Sequence, residues 1–248
     1  MNSPVFILST GRTGTQFFEE YVNGTSATAI CRHEPKPSRR FKFLSNLYLN
    51  GKAGTRFIKQ TYLRSRKGLF RKHQGKTYIE SSNFLFGCIP ALNELYPEIK
   101  IIHIVRHPVG YIQSHLNFGF WRGHKKLFAK YVPYWIEKLD ISHPSDPIEL
   151  LTARWNYVNR QIQSYADSNS YLLVRFEDLF SEDLHQSSLE LNKIREFCGL
   201  GELEDEVNAS WLQKPKNRSV RSLSLDSKQE DLILKGCQNL MKEYKYIS

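Results

Sequence analysis

Short apolar runs, each followed by a loop and an amphipathic stretch, restrict the fold of this chain more than any other feature of its sequence. The first run, residues 5–8, contains no polar residue, which is typical of a strand buried on both faces of a parallel sheet. The clearest strand is predicted at residues 100–105, where His107-Pro108 ends it. Further strands are predicted at residues 28–31, 77–80 and 171–174.

Helices are predicted between these strands, where apolar residues recur at helical spacing. They cover residues 15–22, 85–95, 108–117 and 148–166, and most of the last fifty residues. Strands that alternate with helices favour a parallel sheet with helices on both faces. With 248 residues and no internal repeat, the chain is predicted to form a single α/β domain over residues 1–248, with a basic insertion at 32–76 and an aromatic and Pro-rich insertion at 117–147.

The loop after the first strand has the composition of an anion-binding loop. It reads Ser9-Thr10-Gly11-Arg12-Thr13-Gly14 and leads straight into the first predicted helix. Such a loop directs free backbone N–H groups at an anion, and its two glycines permit the backbone angles that this requires. The guanidinium of Arg12 is a planar fork of donors suited to phosphate oxygens, and the hydroxyls of Thr13 and Thr15 lie near the helix start. Taken alone, the same residues could form a tight structural turn.

A second element is predicted to bring further donors to the same edge of the sheet. Arg106 follows the strand at residues 100–105, Pro108 starts the next helix, and Ser114 lies eight residues after Arg106. Open α/β sheets bind ligands beyond the carboxyl ends of their strands, which is where Arg106 is expected. A charged fork and a hydroxyl could together hold one further phosphate, although Arg106 could equally be a structural helix cap.

The net charge of +10 is concentrated in one segment of the chain. Residues 32–76 contain fourteen Lys or Arg and one acid, Glu34, which leaves a balance of −3 for the remaining residues. Aromatic and aliphatic residues are interleaved with these cations. An ordered basic surface that attracts anions is therefore favoured over a disordered tail.

Two stretches together resemble the motifs that bind 3′-phosphoadenosine-5′-phosphosulfate (PAPS) in the sulfotransferase superfamily. They are Ile7-Leu8-Ser9-Thr10-Gly11-Arg12-Thr13-Gly14-Thr15 and Ile104-Val105-Arg106-His107-Pro108 with Ser114. Three further stretches are similar to that family: Tyr78-Ile79-Glu80-Ser81-Ser82, Trp155 with Asn159, and Val174-Arg175-Phe176-Glu177-Asp178-Leu179. The resemblance spans residues 4 to about 200. It departs from the usual pattern at Gln16, where a second Thr is commoner, and at Arg12, where the cytosolic animal enzymes have Lys.

The resemblance implies a P-loop-like α/β fold and in-line transfer of the sulfuryl group of PAPS to a hydroxyl or amine. The loop residues Gly11, Arg12, Thr13, Gly14, Thr15 and Gln16 would hold the 5′-phosphosulfate, and Arg106 with Ser114 would hold the 3′-phosphate. Arg12 would also stabilise the charge that develops on the leaving phosphate. No metal is required. The acceptor stays open between a carbohydrate, a lipid, a protein tyrosine and a small metabolite, and the basic segment favours an anionic one.

Two neighbouring residues after the second predicted strand are candidates for the general base that an acceptor hydroxyl requires. In the sulfotransferase superfamily a catalytic Glu or His lies about twenty residues after the loop cation, and here His33 and Glu34 follow Arg12 by 21 and 22 residues. Glu34 is the first candidate, because it is the only acid among many cations, and an ion pair with Arg32 or Arg39 is the alternative. His33 could be the base itself or could orient Glu34. By the same resemblance, Ser81 is a candidate substrate contact.

Two other classes of protein share parts of this pattern. A P-loop kinase-like phosphotransferase that uses ATP would need a Gly-Lys pair in its phosphate loop, and that pair is missing. A nucleic-acid-binding protein would account for the basic segment but would leave both phosphate motifs unused, so no nucleic acid is expected as a partner.

Residues 214–219 form a basic loop that either closes over the 3′-phosphate or lies on the surface. Four scattered cysteines and the lack of a membrane-spanning apolar run favour a cytoplasmic protein.

Overall fold

The structure, a computed structural model, describes residues 3–117, 146–167, 170–213 and 224–248. Its five strands form one parallel sheet in the order β2-β3-β1-β4-β5. They are β1 Val5–Ser9, β2 Ala29–His33, β3 Thr77–Ser82, β4 Lys100–Val105 and β5 Ser170–Arg175. The predicted α/β fold with a central parallel sheet is therefore confirmed.

Helices cover both faces of this sheet. In the described part of the chain they are α1 Phe17–Thr25, α2 Ser38–Leu49, α3 Thr55–Lys72, α4 Ile89–Leu95, α5 Pro108–Asn117, α6 Pro147–Gln163, α7 Phe176–Leu179, α8 Leu184–Cys198, α9 Asp205–Leu212 and α10 Ser227–Glu243. None of these helices is long and apolar enough to cross a membrane. Most of the predicted aromatic insertion at 117–147, and the basic loop at 214–219, lie outside the described residues.

The strand order places the point at which the chain reverses direction across the sheet at its centre. β1 is the middle strand, with β3 and β2 on one side and β4 and β5 on the other. All five residues of β1 are buried, and its side chains alternate between the two faces: Phe6 and Leu8 belong to one core cluster, and Val5 and Ile7 to another. Where the strand order reverses in this way, a crevice opens beyond the carboxyl ends of the strands. The loops after β1 and β4 both reach that edge.

The first helix extends beyond its predicted end at residue 22, through Asn23 and Gly24, and ends at Thr25. Gly24 lies against the indole ring of Trp211, and a Cβ at residue 24 would be 2.3 Å from Cζ2 of that ring. The glycine therefore permits close packing of α1 against α9, which the sequence pattern alone does not reveal.

The basic segment folds into two packed helices. α2 buries Phe41 and Leu44 among its core residues, and α3 buries Ile58, Tyr62 and Arg66. The aromatic and aliphatic residues between the cations are thus the anchors of these helices, as an ordered surface requires.

One buried ion pair holds α3 against β3. Arg66 donates from Nη2 to Oε1 of Glu80 over 2.6 Å and from Nε to Oε2 over 2.8 Å, and both side chains are 1% exposed. The hydroxyls of Tyr62 and Tyr78 donate to the same Oε2 over 3.1 and 2.8 Å. From Nη1, Arg66 also donates to the backbone carbonyl of Lys36 over 3.2 Å. The pair therefore joins α3, β3 and the loop between β2 and α2.

We expect Glu80→Gln to lower the free energy of unfolding by about 3–5 kcal/mol, because it leaves the guanidinium of Arg66 buried without a counter-charge. Urea unfolding followed by circular dichroism measures this change. Glu94→Gln is the matched control, since Glu94 pairs with Lys59 over 2.5 Å at the protein surface and exposed pairs contribute little. Equal losses in the two variants would show that the buried Arg66–Glu80 pair contributes no more to the free energy of unfolding than an exposed pair does.

Candidate active site

The loop between β1 and α1 has an unusual backbone. Gly11, Arg12 and Gly14 have φ angles of +91°, +58° and +71°. A Cβ would be 2.7 Å from Nδ2 of Asn83 at residue 11 and 2.5 Å from Cε2 of Phe180 at residue 14. Both glycines are therefore required by conformation and by space, which distinguishes this loop from an ordinary turn.

Hydrogen bonds inside the loop fix its curvature. The hydroxyl oxygen of Ser9 accepts the backbone N–H of Gly11 over 3.1 Å and the hydroxyl of Thr13 over 2.8 Å. Thr13 and Thr15 are buried, whereas Gln16 is exposed immediately before α1. The buried hydroxyl of Thr10 has no hydrogen-bond partner within the described residues. The loop therefore contains one buried hydroxyl whose hydrogen-bonding capacity the described residues do not use.

Arg12 lies next to Arg106 and Ser114, although about a hundred residues separate it from both in sequence. Arg106 donates from Nη1 to the backbone carbonyl of Arg12 over 2.7 Å, and Arg12 donates from Nε to the hydroxyl oxygen of Ser114 over 3.1 Å. The two predicted phosphate elements therefore meet at the carboxyl edge of β1 and β4. Burial lowers the pKa of both guanidinium groups, which increases their need for a nearby anion.

The side chains around Arg106 fix its position. Its guanidinium carbon lies 4.4 Å from the ring centroid of Phe176, and its backbone carbonyl accepts the indole N–H of Trp155 over 2.9 Å. Glu177 accepts the backbone N–H of His107 over 3.0 Å. The stretches of the sequence around residues 155 and 176 thus support the Arg106 element directly. Asn159 instead contacts His103, which is fully buried in the core.

His33 is linked to the phosphate loop through Ser81. Nδ1 of His33 lies 2.9 Å from the hydroxyl oxygen of Ser81, and that hydroxyl donates to the carbonyl of Thr15 over 2.9 Å. Because Ser81 has only one hydroxyl proton, it accepts from His33, which assigns the proton of a neutral ring to Nδ1 and leaves Nε2 with a lone pair. Burial lowers the pKa of His33, with Glu19 opposing that shift, so the ring is neutral at neutral pH. Ser81 itself is fully buried, a position that favours orienting His33 over contacting a substrate.

Glu34 lies beside His33 in a constrained backbone. Its φ angle is +43°, and its backbone N–H donates to the carbonyl of Ser81 over 2.9 Å. Burial raises the pKa of its carboxyl group, while the backbone N–H of Asn83 and the charge of Lys42 act in the opposite direction. Arg32 pairs instead with Glu19, 3.2 Å away, and no salt bridge to Glu34 is found within the described residues. The alternative in which Glu34 forms an ion pair with Arg32 or Arg39 therefore has no contact to support it among the described residues.

No hydrogen bond joins the side chains of His33 and Glu34 in this part of the structure. The idea that His33 orients Glu34 thus has no contact to support it. Each residue instead has its own support: Ser81 for His33, and Asn83 with Lys42 for Glu34.

Three residues of the site do not stand out in the sequence. Lys42 on α2, Arg154 on α6 and His115 on α5 lie close enough for their charges to interact. Burial, and next the charge of Arg154, lowers the pKa of Lys42 to about 8. Burial, and next the charges of Arg154 and Arg12, hold the pKa of His115 well below its ordinary value. Arg154 has one sequence signal, because it lies among the buried apolar positions of an amphipathic helix.

Within the described ranges, no cluster of three or more His, Cys, Asp or Glu side chains could hold a metal ion. The positive charge of the site comes from guanidinium and ammonium groups and from the N–H groups of the loop. Donors of these kinds are suited to binding the oxygens of a phosphate or sulfate ester.

A sulfotransferase family model matches residues 4–205, which include both phosphate elements. The chain belongs to the sulfotransferase family. A search of curated proteins finds no match to its sequence.

Solved structures of sulfotransferases have the same fold. The sulfotransferase domain from the curacin biosynthetic pathway is 14% identical, with a TM-score of 0.56, and the match covers 97% of this chain and 98% of that domain. A sulfotransferase from Alicyclobacillus acidocaldarius is also 14% identical, with a TM-score of 0.52 and coverage of 99% and 96%. At this identity the likeness concerns the fold and not the acceptor.

We expect Gly14→Ala to abolish measurable binding of adenosine 3′,5′-bisphosphate in calorimetry, because the added methyl group displaces either the loop or the Phe180 ring. Gly51→Ala is the matched control: Gly51 also has a positive φ, of +72°, but a Cβ there has no heavy atom within 4 Å. The control should lose about 1–2 kcal/mol of stability from its backbone angle and keep its affinity. Wild-type affinity in Gly14→Ala would show that the ligand does not use this loop.

Proposed function

We propose that this protein is a PAPS-dependent sulfotransferase that transfers the sulfuryl group to a hydroxyl or amine of its acceptor. The observation that carries this proposal is the junction of Arg12, Arg106 and Ser114 at the carboxyl edge of β1 and β4. PAPS has two separate anionic groups, a 5′-phosphosulfate and a 3′-phosphate. A glycine loop joined to a second cationic element matches that requirement, whereas a single phosphate would need only the first.

The donor would be held by two sets of residues. The loop residues Gly11, Arg12, Thr13, Gly14, Thr15 and Gln16 would surround the 5′-phosphosulfate, with backbone N–H groups and the N-terminus of α1 directed at it. Arg106 and Ser114 would bind the 3′-phosphate. Since Ser114 accepts from Arg12 here, a bound donor would replace that hydrogen bond with contacts to its own oxygens.

The transfer would proceed by in-line displacement. The acceptor oxygen or nitrogen forms a bond to sulfur while the bond between sulfur and the phosphate oxygen breaks, and the bonding electrons leave with adenosine 3′,5′-bisphosphate. Arg12 and the loop N–H groups stabilise the negative charge that develops on that phosphate. No step of this mechanism uses a metal ion.

The acceptor proton would go to Glu34. Burial raises its pKa and makes it a stronger base than an ordinary carboxylate, while the backbone N–H of Asn83 and the charge of Lys42 oppose that shift. His33 is the alternative base, because its Nε2 has a free lone pair. Ser81 supports the neutral ring and would act as a positioning residue.

We also propose a cytoplasmic location, which is supported by the four cysteines, all free and buried as in proteins of a reducing compartment.

We expect Arg12→Ala and Arg106→Ala each to weaken binding of adenosine 3′,5′-bisphosphate by about 1.5–3 kcal/mol, the contribution of a charge-assisted hydrogen bond. With adenosine 5′-phosphosulfate, which lacks the 3′-phosphate, Arg12→Ala should lose much more affinity than Arg106→Ala. Calorimetry measures both, with Arg160→Ala on the exposed end of α6 as the control. Unchanged affinity in both variants would place the donor elsewhere.

We expect Glu34→Gln to keep donor affinity and to lower kcat by about 10²–10⁴-fold, the range for a lost general base. The wild-type kcat should fall as the pH drops through the raised pKa of Glu34, because only the ionised carboxylate accepts a proton. Lys42→Met removes a charge that lowers this pKa, so the acidic limb of the curve of kcat against pH should move to higher pH. If His33→Ala causes the larger loss and Lys42→Met leaves the limb in place, His33 is the base.

A further inference from the structure

The outer face of α3 is a row of cations. Arg56, Gln60, Arg64, Lys67 and Arg71 recur every three or four residues, and all five are exposed. At 1.5 Å per residue the row is about 22 Å long. It lies opposite the buried residues of the helix, so it takes no part in packing the core.

These cations have no acidic neighbours to balance them. No Asp or Glu occurs between residues 35 and 79 of the chain. Among the described residues, the salt bridges of α3 involve only Lys59 and the buried Arg66. Like charges three or four residues apart, such as Arg64, Lys67 and Arg71, destabilise a helix, and Arg56 in the first turn opposes the helix dipole. The helix therefore retains a repulsion that an anionic partner would relieve.

Two large apolar side chains flank the row. Phe57 is 58% exposed and Leu63 is 43% exposed, on either side of the cations. A sulfated polysaccharide is neutralised by the cations alone and gives these side chains no apolar partner. The unstacked bases of RNA could stack on the ring of Phe57 but would leave Leu63, on the other side of the row, without an apolar layer to enter. A lipid bilayer that contains acidic lipids offers both a negative surface and an apolar layer beneath it.

α10 provides a comparison within the same chain. It has 17 residues, is also amphipathic, and exposes Leu232 by 64%. Its three lysines, Lys228, Lys235 and Lys242, are balanced by Glu230, Asp231 and Glu243. An exposed apolar residue and a few cations are thus common to both helices, and only α3 combines them with an uncompensated charge.

We propose that the outer face of α3 docks the protein on the surface of an anionic lipid bilayer. Arg56, Arg64, Lys67 and Arg71 bind lipid headgroups, and Phe57 and Leu63 enter the interface. The protein associates with the surface and does not cross it. This docking is independent of the proposed sulfuryl transfer, because it uses neither the donor loop nor the base.

The test is sedimentation of the full chain with phosphatidylcholine vesicles and with vesicles of equal parts phosphatidylserine and phosphatidylcholine, without donor or acceptor. We expect binding only to the second kind, and binding that weakens as salt is raised. The triple variant Arg64→Gln, Lys67→Gln, Arg71→Gln should bind about 100-fold more weakly, since each cation near an anionic surface contributes about fivefold. Phe57→Ser should bind about tenfold more weakly.

The first control is the triple variant Lys228→Gln, Lys235→Gln, Lys242→Gln on α10, which removes the same charge. The second control is Leu232→Ser, which removes a similarly exposed apolar residue. Both should bind like the wild type. Circular dichroism checks that all variants are folded. Equal losses in the α3 and α10 triple variants would reduce the effect to net charge and overturn the proposal. So would wild-type binding by Phe57→Ser, or binding to heparin or transfer RNA with none to the vesicles.

Discussion

The buried pair of Arg66 and Glu80 is the interaction on which the basic part of this fold depends. Removing two charges from water costs several kcal/mol per ion, and their attraction offsets this only when the remaining polar atoms are also satisfied. Here Glu80 accepts two hydrogen bonds from the guanidinium and two from tyrosine hydroxyls. Arg66 in turn lies over the rings of Phe41 and Tyr62. A segment with a charge of +13 can therefore pack against the sheet, because its innermost cation is neutralised inside the core.

This pair also affects the site, although neither residue faces it. Arg66 holds the carbonyl of Lys36, two residues after Glu34, while the N–H of Glu34 is held by β3. The loop with the proposed base is thus fixed on both sides of Glu34. The donor loop has a separate origin: glycine backbone angles and close contacts with Asn83 and Phe180 determine its shape. Ser81 and Asn83 connect the two regions, because Ser81 contacts both His33 and the carbonyl of Thr15, and Asn83 lies beside both Gly11 and Glu34.

The sheet, and the meeting of the two proposed donor elements at one of its edges, could be predicted because their signals are local. Val5 to Leu8 is an unbroken apolar run before a glycine loop, and Arg106 follows the next clear strand, so both elements are expected at one edge. Contacts between distant residues could not be predicted. Nothing near Lys36 in the sequence indicates that Arg66 holds it, and the proton on Nδ1 of His33 follows only from the position of Ser81. The same limit applies to Gly24, which lies beyond the predicted end of the first helix but packs against Trp211 in the structure.

The cations of the site would favour a bound anion. Burial, and next the charges of Arg154, Arg12, Arg106 and Lys42, lower the pKa of His115, and burial with the charge of Arg154 lowers that of Lys42. Such an arrangement of like charges is unfavourable by itself, and its cost falls when negative charge enters among them. An anionic donor would raise the pKa of Lys42 and keep its ammonium group protonated beside Glu34. The ammonium group that opposes the raised pKa of Glu34 would then stay charged while the acceptor loses its proton. The arrangement thus couples donor binding to the electrostatics of the base without direct contact between them.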